Sequence, residues 1–265
     1  MFELEFMRIA LIALLLITPL LGLLGTVVVE SKLAFFSDAL GHSALTGVAI
    51  GSIFGIARPG VAMTLFALVF ALVLDRIRRS QVASSDTVIS VFSSTAIALG
   101  LVLLSGGGGF NKFSTYLIGD ILTISRGDLW YLSALLAPVL LYWFFCFNKL
   151  ALISVSPLLA ASKGVRVNLH QTIFLLVLTV VVMSSIRWVG VLMINSLLIL
   201  PPAAARNISR NLRTYQLLSV VFALVAGVAG LGLSYAINTA TGPTIALIGA
   251  AMFFVTYALR GKAKA

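Results

Sequence analysis

Long apolar runs separated by short polar or basic loops repeat along the whole chain. One helical crossing of a bilayer needs about 20 mostly apolar residues, and fewer where a helix is broken or packed inside protein. The pattern predicts nine spans, at about residues 9–29, 41–56, 60–75, 88–104, 129–147, 170–186, 188–205, 215–237 and 243–259. The strict apolar/polar alternation of a membrane β-barrel does not occur. We therefore expect an all-α bundle of eight to nine spans, with residues 1–265 forming one transmembrane domain.

Three features interrupt this pattern. The segment from Phe113 to Ile124 follows a run of four glycines and is too short to cross a bilayer, so it is predicted to be a re-entrant or interfacial helix. Pro59-Gly60 predicts the turn between the second and third spans. Pro201-Pro202, near the end of the seventh span, predicts a broken helix unless neighbouring groups satisfy the freed backbone, because proline removes a backbone donor. Transporters build binding sites and gates at such interruptions.

Composition supports a membrane protein. Hydrophobic residues make up 60% of the chain and charged residues only 10%, against about 25% in soluble domains. A net charge of +10 would suit nucleic acid, but the basic residues form small clusters in loops and do not gather on one face. We therefore expect lipid, and no nucleic acid, as a partner. The single cysteine, Cys146, lies within an apolar run and rules out an intrachain disulfide.

The basic residues also predict the orientation, because loops rich in lysine and arginine stay in the cytoplasm. With nine spans and an external N-terminus, most of the 18 basic residues fall on the inner side. The external ones are Arg8, Arg58, Lys112, Arg126 and Arg187. The C-terminus is thus expected in the cytoplasm, and reading residues 173–206 as one long span would reverse everything after it.

Asp38 and His42 are the strongest candidates for chemistry. At a spacing of four residues on a helix they share one face, where a carboxylate oxygen and an imidazole nitrogen can reach one cation. Such a pair suits zinc, manganese or ferrous iron. The alternative is that Asp38 caps the helix N-terminus while His42 hydrogen-bonds within the bundle. Ionisable residues inside spans are rare and usually functional, which favours a metal site.

Two further polar residues are possible gates or caps. Asp86 follows two serines at the start of the fourth span, where a helix cap is favoured over a gating role. Asn195 lies in the middle of a span, where an interhelical hydrogen bond explains it at least as well as pore lining does.

Several motifs in order make the chain resemble the ABC-3 permeases of zinc, manganese and iron-chelate importers over nearly its whole length. These are SDALGHSALTGVAIG (37–51), SSDTVISVF (84–92), YLIGDILTIS (116–125), SPLLAASKGVRV (156–167), VGVLMINSLLILPPAAAR (189–206) and GPTIAL (242–247). The resemblance implies a fold like that of the vitamin B12 importer permease, working as a homodimer around a central pathway. It also implies a dimeric cytoplasmic ATPase, an extracytoplasmic metal-binding protein and a place in the bacterial cytoplasmic membrane.

The resemblance also assigns residues. The family's metal-site aspartate and histidine fall on Asp38 and His42. Its coupling helix, which contacts the ATPase, falls on about residues 156–167, with Ala160, Lys163, Gly164 and Arg166 as coupling residues. Two positions depart from the family pattern: Leu158 replaces a usual acidic residue, and Thr46 replaces a proline common in manganese-type members. The second departure favours zinc as the transported ion.

The predicted function is therefore a transport subunit without a permanent cofactor, carrying zinc first, then manganese or ferrous iron. No phosphate-binding loop is present, so ATP hydrolysis is assigned to a separate subunit. One alternative is a secondary transporter driven by an ion gradient, which the scarcity of acidic residues within spans opposes. The other is an intramembrane metalloenzyme, which only two histidines and the lack of a His-Glu-x-x-His motif oppose.

Overall fold

The computed structural model describes residues 5–56, 58–80, 83–107, 119 and 121–262, and the described part is helical throughout. A short 3₁₀ helix, Ile121–Thr123, accompanies the α-helices. In chain order these are α1 (Glu5–Glu30), α2 (Ala34–Ile53), α3 (Pro59–Arg79), α4 (Ser85–Gly107), α5 (Arg126–Val155), α6 (Pro157–Ser162), α7 (Val167–Val189), α8 (Val191–Ile208), α9 (Leu212–Ile237) and α10 (Thr241–Lys262). Eight of them, all except α2 and α6, are long and apolar enough to cross a membrane. The prediction of an all-α multi-pass membrane protein is confirmed.

The nine predicted spans correspond to the nine long helices, but most helices extend beyond the apolar runs. In α3 the last turn adds Arg76, Arg78 and Arg79 to the apolar segment. In α5 the helix runs to Val155, eight residues past the predicted end. Hydropathy detects only the part inside hydrocarbon, while the backbone hydrogen bonds continue into the polar ends.

Helix α2 lies at the centre of the packing. It contacts α3, α4, α7 and α8, whereas α1, α8, α9 and α10 pack against one another as a second group. Most of the α2 side chains are buried. Helix α2 therefore contacts α3, α4 and α7 as well as α8 of the second group. Movement of the second group relative to these helices would change the surroundings of a site on α2.

Contacts between helix ends show which ends lie on the same side. At one side Glu30, ending α1, pairs with Arg206 near the end of α8, and Arg79 of α3 reaches the first turn of α7. At the other side Glu5 pairs with Arg126, where α1 and α5 begin. This arrangement agrees with the predicted order of crossings, and it places the Arg76–Arg79 cluster at the same end as the α6 segment. Which end faces the cytoplasm stays a prediction.

The structure corrects both predictions made from prolines. Helix α8 continues through Pro201 and Pro202 to Ile208, so the break predicted there is absent. The turn between α7 and α8 lies at Gly190, whose φ of 78° is left-handed. Likewise, the turn between the second and third spans precedes Pro59, which is the first residue of α3. Proline is well suited to a first helical turn, because the amide it lacks would have no partner there.

A glycine lets α1 approach α8 closely beside its second proline. Pro202 leaves the Leu198 carbonyl without its usual helical donor. Gly25 of α1 lies against that carbonyl so closely that a Cβ at residue 25 would overlap the oxygen and stand 2.9 Å from Pro202 Cγ.

The predicted re-entrant helix at 113–124 falls largely outside the described residues. Within the described part, Gly119 has a φ of 66° and packs against Gly190 and Val189, so this segment contacts the α7–α8 break.

Candidate metal site

Asp38 and His42 lie on one face of α2, as their spacing predicts. His42 Nε2 is 3.4 Å from Asp38 Oδ2, longer than a usual N–H···O hydrogen bond of about 2.7–3.2 Å. The side chains are 28% and 49% exposed for His42 and Asp38, respectively. Two ligand-type groups therefore face a common, accessible point on a helix whose residues are mostly buried.

The alternative that Asp38 caps α2 is wrong. The N-cap is Leu33, which makes no side-chain capping bond, and Asp38 is the fifth residue of the helix. The predicted span began at residue 41 because the charged position lowers local hydropathy, whereas the helix itself begins at Ala34. A carboxylate inside a helix and away from its N-terminus needs a partner other than the free amides.

Asn195 of α8 is brought to the same place. Its Nδ2 donates a hydrogen bond of 3.0 Å to Asp38 Oδ1. The interhelical bond expected for Asn195 is therefore present, and its acceptor is the candidate metal ligand itself. Among the residues that the structure describes, Asn195 Oδ1 is buried and has no hydrogen-bond partner.

The depth of this group follows from α8. Asn195 precedes Arg206 by eleven residues, which is about 16 Å along a helix axis. Arg206 pairs with Glu30 where α1 ends, and half of a bilayer's hydrocarbon core is about 15 Å. Asp38 and His42 thus lie near the middle of the membrane if the paired charges mark its surface.

Among the described residues, Asp38 and His42 have no third metal-ligand side chain beside them. No group of three or more His, Cys, Asp or Glu side chains forms among the described residues.

Asp86 is exposed in the first turn of α4, and the capping bond there is made by Ser84 Oγ, which accepts from the Thr87 amide at 3.2 Å. A gating role for Asp86 stays a prediction.

Thr46 is assigned a packing role by the structure. Its hydroxyl donates to the Ala96 carbonyl of α4, and Gly100 of α4 lies against it. Thr46 therefore packs α2 against α4. These contacts do not connect Thr46 to the choice of zinc over manganese.

The predicted coupling residues surround a short helix and do not all lie on it. Helix α6 ends at Ser162, Lys163 is its C-cap, Gly164 turns the chain with a φ of 77°, and Arg166 is the N-cap of α7. Lys163, Gly164 and Arg166 are exposed, whereas Ala160 is fully buried. Ala160 therefore packs the segment against its own bundle.

A buried charged network on α3 was missed from the sequence. Asp75 is 3% exposed, and its carboxylate accepts from Arg78 at 3.0 Å and from Arg79 at 2.6 Å. Thr172 of α7 donates to the same carboxylate at 2.9 Å. The signal was present as an aspartate three and four residues before two arginines, the spacing of helical ion pairs. The hydropathy pattern alone places Asp75 at the end of an apolar run and indicates no ion pair.

We expect Asp75→Asn to destabilise the protein, because it leaves two partly buried arginines without a counter-charge. Removing one partner from a buried ion pair costs roughly 3 kcal/mol or more. The measurement is the thermal unfolding midpoint of the purified chain in lipid nanodiscs. Asp86→Asn, at an exposed carboxylate, is the matched control and should leave the midpoint unchanged. Equal midpoints for Asp75→Asn and wild type would show that the network adds no stability.

Known proteins resemble the chain over nearly its whole length. Manganese import system permease protein ScaB of Streptococcus gordonii is 32% identical over 260 residues, which cover 98% of this chain and 93% of the relative. High-affinity zinc uptake system membrane protein ZnuB of Haemophilus influenzae is 31% identical over 234 residues, covering 88% of this chain and 89% of the relative. These relatives are membrane proteins of uptake systems, which confirms the prediction of a transport subunit over an enzyme.

Two solved structures also resemble the chain over nearly its whole length. The structure of PsaBC from Streptococcus pneumoniae in complex with Fab matches with a TM-score of 0.83 and 29% identity, over 96% of this chain and 92% of that one. An ABC transporter in an inward-facing conformation matches with a TM-score of 0.68 at 18% identity, over 94% of this chain and 84% of that one, and shows the fold alone. The model of the ABC 3 transport family matches residues 3–260. The resemblance drawn from the motifs is thus confirmed, and the chain belongs to the ABC 3 transport family.

Proposed function

We propose that this chain is the membrane-spanning permease of an ATP-driven importer that carries a divalent transition metal, zinc first, with manganese or ferrous iron next. The observation that carries the proposal is the Asp38–His42 pair, two metal-ligand groups facing one accessible point in a central membrane helix. The names of the relatives, which include a manganese import permease and a zinc uptake protein, support a metal as cargo.

The geometry of the pair suits zinc. With Zn–N and Zn–O bonds of about 2.1 Å, two ligands of a tetrahedral ion stand about 3.4 Å apart. His42 Nε2 and Asp38 Oδ2 lie 3.4 Å apart. The pair can therefore receive four-coordinate zinc with little rearrangement.

Two ligands are too few for a closed zinc site, which has four. A second copy of the chain, related by a two-fold axis, would supply the other aspartate and histidine. The partial exposure of both side chains supports this arrangement, because a gap between two copies is where they would meet. Such an interfacial site opens when the copies move apart, and a transported ion must be able to leave its site.

The surface around α6 supports docking of a separate ATPase. Val155, Leu158 and Leu159 are 73%, 85% and 46% exposed beside Lys163 and Arg166. Exposed apolar residues rimmed by charge, at the basic end of the bundle, are typical of a protein contact. The Leu158 departure from the family's acidic residue thus makes this contact more apolar.

The alternatives fit less well. A secondary transporter driven by protons or sodium would use free carboxylates inside its spans. Asp38 is half-exposed, and the buried carboxylate of Asp75 in α3 already pairs with two arginines. A zinc enzyme commonly uses three protein ligands and a water, whereas the described residues offer the pair alone. A binding protein on the outer face and a bacterial cytoplasmic membrane complete the proposal.

Crosslinking at residue 163 tests the dependence on an ATPase. Cys146 is the single native cysteine and is partly buried, so it is first replaced by serine. We expect Lys163→Cys to crosslink to a cysteine in the ATPase groove, because residue 163 is exposed at the end of α6. Arg126→Cys, exposed at the opposite end of the bundle, is the control and should not crosslink.

Labelling of residue 163 only from outside intact cells would contradict the proposed orientation. Uptake of metal without any ATPase subunit would instead favour a gradient-driven transporter.

A further inference from the structure

The two oxygens of the Asp38 carboxylate have different partners. Oδ1 accepts the hydrogen bond from Asn195 Nδ2 at 3.0 Å, while Oδ2 is the oxygen near His42 Nε2. Asp38 and His42 belong to α2, whereas Asn195 belongs to α8. An amide from a second helix therefore holds one oxygen and leaves the other directed to the point that His42 also faces.

We propose that Asn195 is a positioning residue for the metal carboxylate, and that its bond makes metal affinity depend on the packing of α8 against α2. This inference rests on the proposed function, in which Asp38 and His42 receive the metal. Ligating carboxylates are commonly oriented by a hydrogen bond to their second oxygen, and loss of such a partner lowers metal affinity by about 10- to 100-fold.

The close approach of the two helices is a second, independent observation. Gly41, the neighbour of His42, lies against Val191, and a Cβ at residue 41 would overlap Val191 Cγ1. Val191 is one turn from Asn195 on α8. The glycine therefore permits the helix separation at which the 3.0 Å bond between Asn195 and Asp38 forms.

The contacts of Asn195 match a positioning role. Its Nδ2 donates to Asp38 Oδ1 at 3.0 Å, while its Oδ1 is buried without a hydrogen-bond partner among the described residues. An amide whose hydrogen bond goes to the metal carboxylate is expected where that carboxylate must be oriented.

The Asn195–Asp38 bond would allow the metal ion to be released when α2 and α8 separate. While α2 and α8 are in contact, the carboxylate is held toward the metal and affinity is high. When the two helices move apart, the bond from Asn195 breaks, Asp38 is free to rotate, and affinity falls. A state-dependent affinity of this kind couples a conformational change to movement of the ion.

The test uses the full chain assembled with its ATPase subunit in nanodiscs, titrated with Zn²⁺ and with Mn²⁺ against a competing chelator. We expect Asn195→Leu to bind both ions about 10- to 100-fold more weakly in protein that remains folded and assembled. Gly41→Ala should also weaken binding, because the added methyl separates α2 from α8. Ser196→Ala is the control, because the Ser196 hydroxyl bonds its own helix at Leu192, and its affinity should be unchanged.

Wild-type affinity in Asn195→Leu would overturn the inference. A second result would also overturn it: Asn195→Leu with a lowered unfolding midpoint but wild-type metal affinity in the folded fraction. That result would assign Asn195 to helix packing alone. Asp38→Asn separates these outcomes from failure of the proposed function. Wild-type metal affinity in Asp38→Asn would remove the site itself, and the inference with it.

Discussion

Replacing His42 with alanine is expected to abolish metal uptake while the protein still inserts, folds and assembles with its ATPase. His42 supplies the nitrogen ligand of the pair, and the Asp38 carboxylate alone cannot hold a passing ion in competition with water. If His42 served only in packing, its removal would cost roughly 1 kcal/mol, the scale of polar contacts between membrane helices. Uptake and the amount of assembled complex, measured on the same preparation, separate the two roles.

The chain offers a matched control for this experiment. His170, its other histidine, lies in the first turn of α7, where Nδ1 is 2.9 Å from the Arg166 carbonyl oxygen. His170→Ala should therefore retain uptake. Normal uptake by His42→Ala, or its failure only in proportion to lost complex, would contradict a ligand role.

Gly25→Ala is expected to destabilise the protein. The new methyl would overlap the Leu198 carbonyl oxygen and crowd Pro202, so α1 and α8 would have to separate along their contact. Overpacking of this kind costs about 1–3 kcal/mol.

Gly60→Ala is the matched control, and it is expected to raise stability where Gly25→Ala lowers it. Gly60 lies in the first turn of α3 with nothing within 4 Å of a Cβ, so Gly60→Ala should stabilise by about 0.4–1 kcal/mol through the unfolded chain. Thermal unfolding of both variants in nanodiscs tests the pair. Equal midpoints would show that the α1–α8 contact does not depend on the absence of a side chain at residue 25.

The sequence predicted the fold and the shared helix face of Asp38 and His42 because both depend on local periodicity. Apolar runs located the nine long helices of the described residues, and the spacing of Asp38 and His42 placed both on one face. The helix ends were less accurate, since hydropathy does not follow a helix into its polar turns. Helix α2 shows this most clearly, because its charged residue hid the true start at Ala34.

Contacts between distant helices could not be predicted in the same way. The bond from Asn195 to Asp38 joins residues far apart in sequence, and no local pattern specifies that pairing. The close approach of Gly25 of α1 to Leu198 and Pro202 of α8 is another such contact. Proline rules predicted a break in α8 that the structure does not contain.

ATP-dependent accumulation of metal in vesicles tests the central claim most directly. The chain and its ATPase are reconstituted with the binding protein outside and ATP inside, and uptake of zinc and manganese is measured for wild type and Asp38→Asn. We predict that wild type accumulates metal only with ATP, zinc at least as well as manganese, and that Asp38→Asn accumulates neither. Uptake by Asp38→Asn at the wild-type rate would contradict the claim that the metal passes through the Asp38–His42 site.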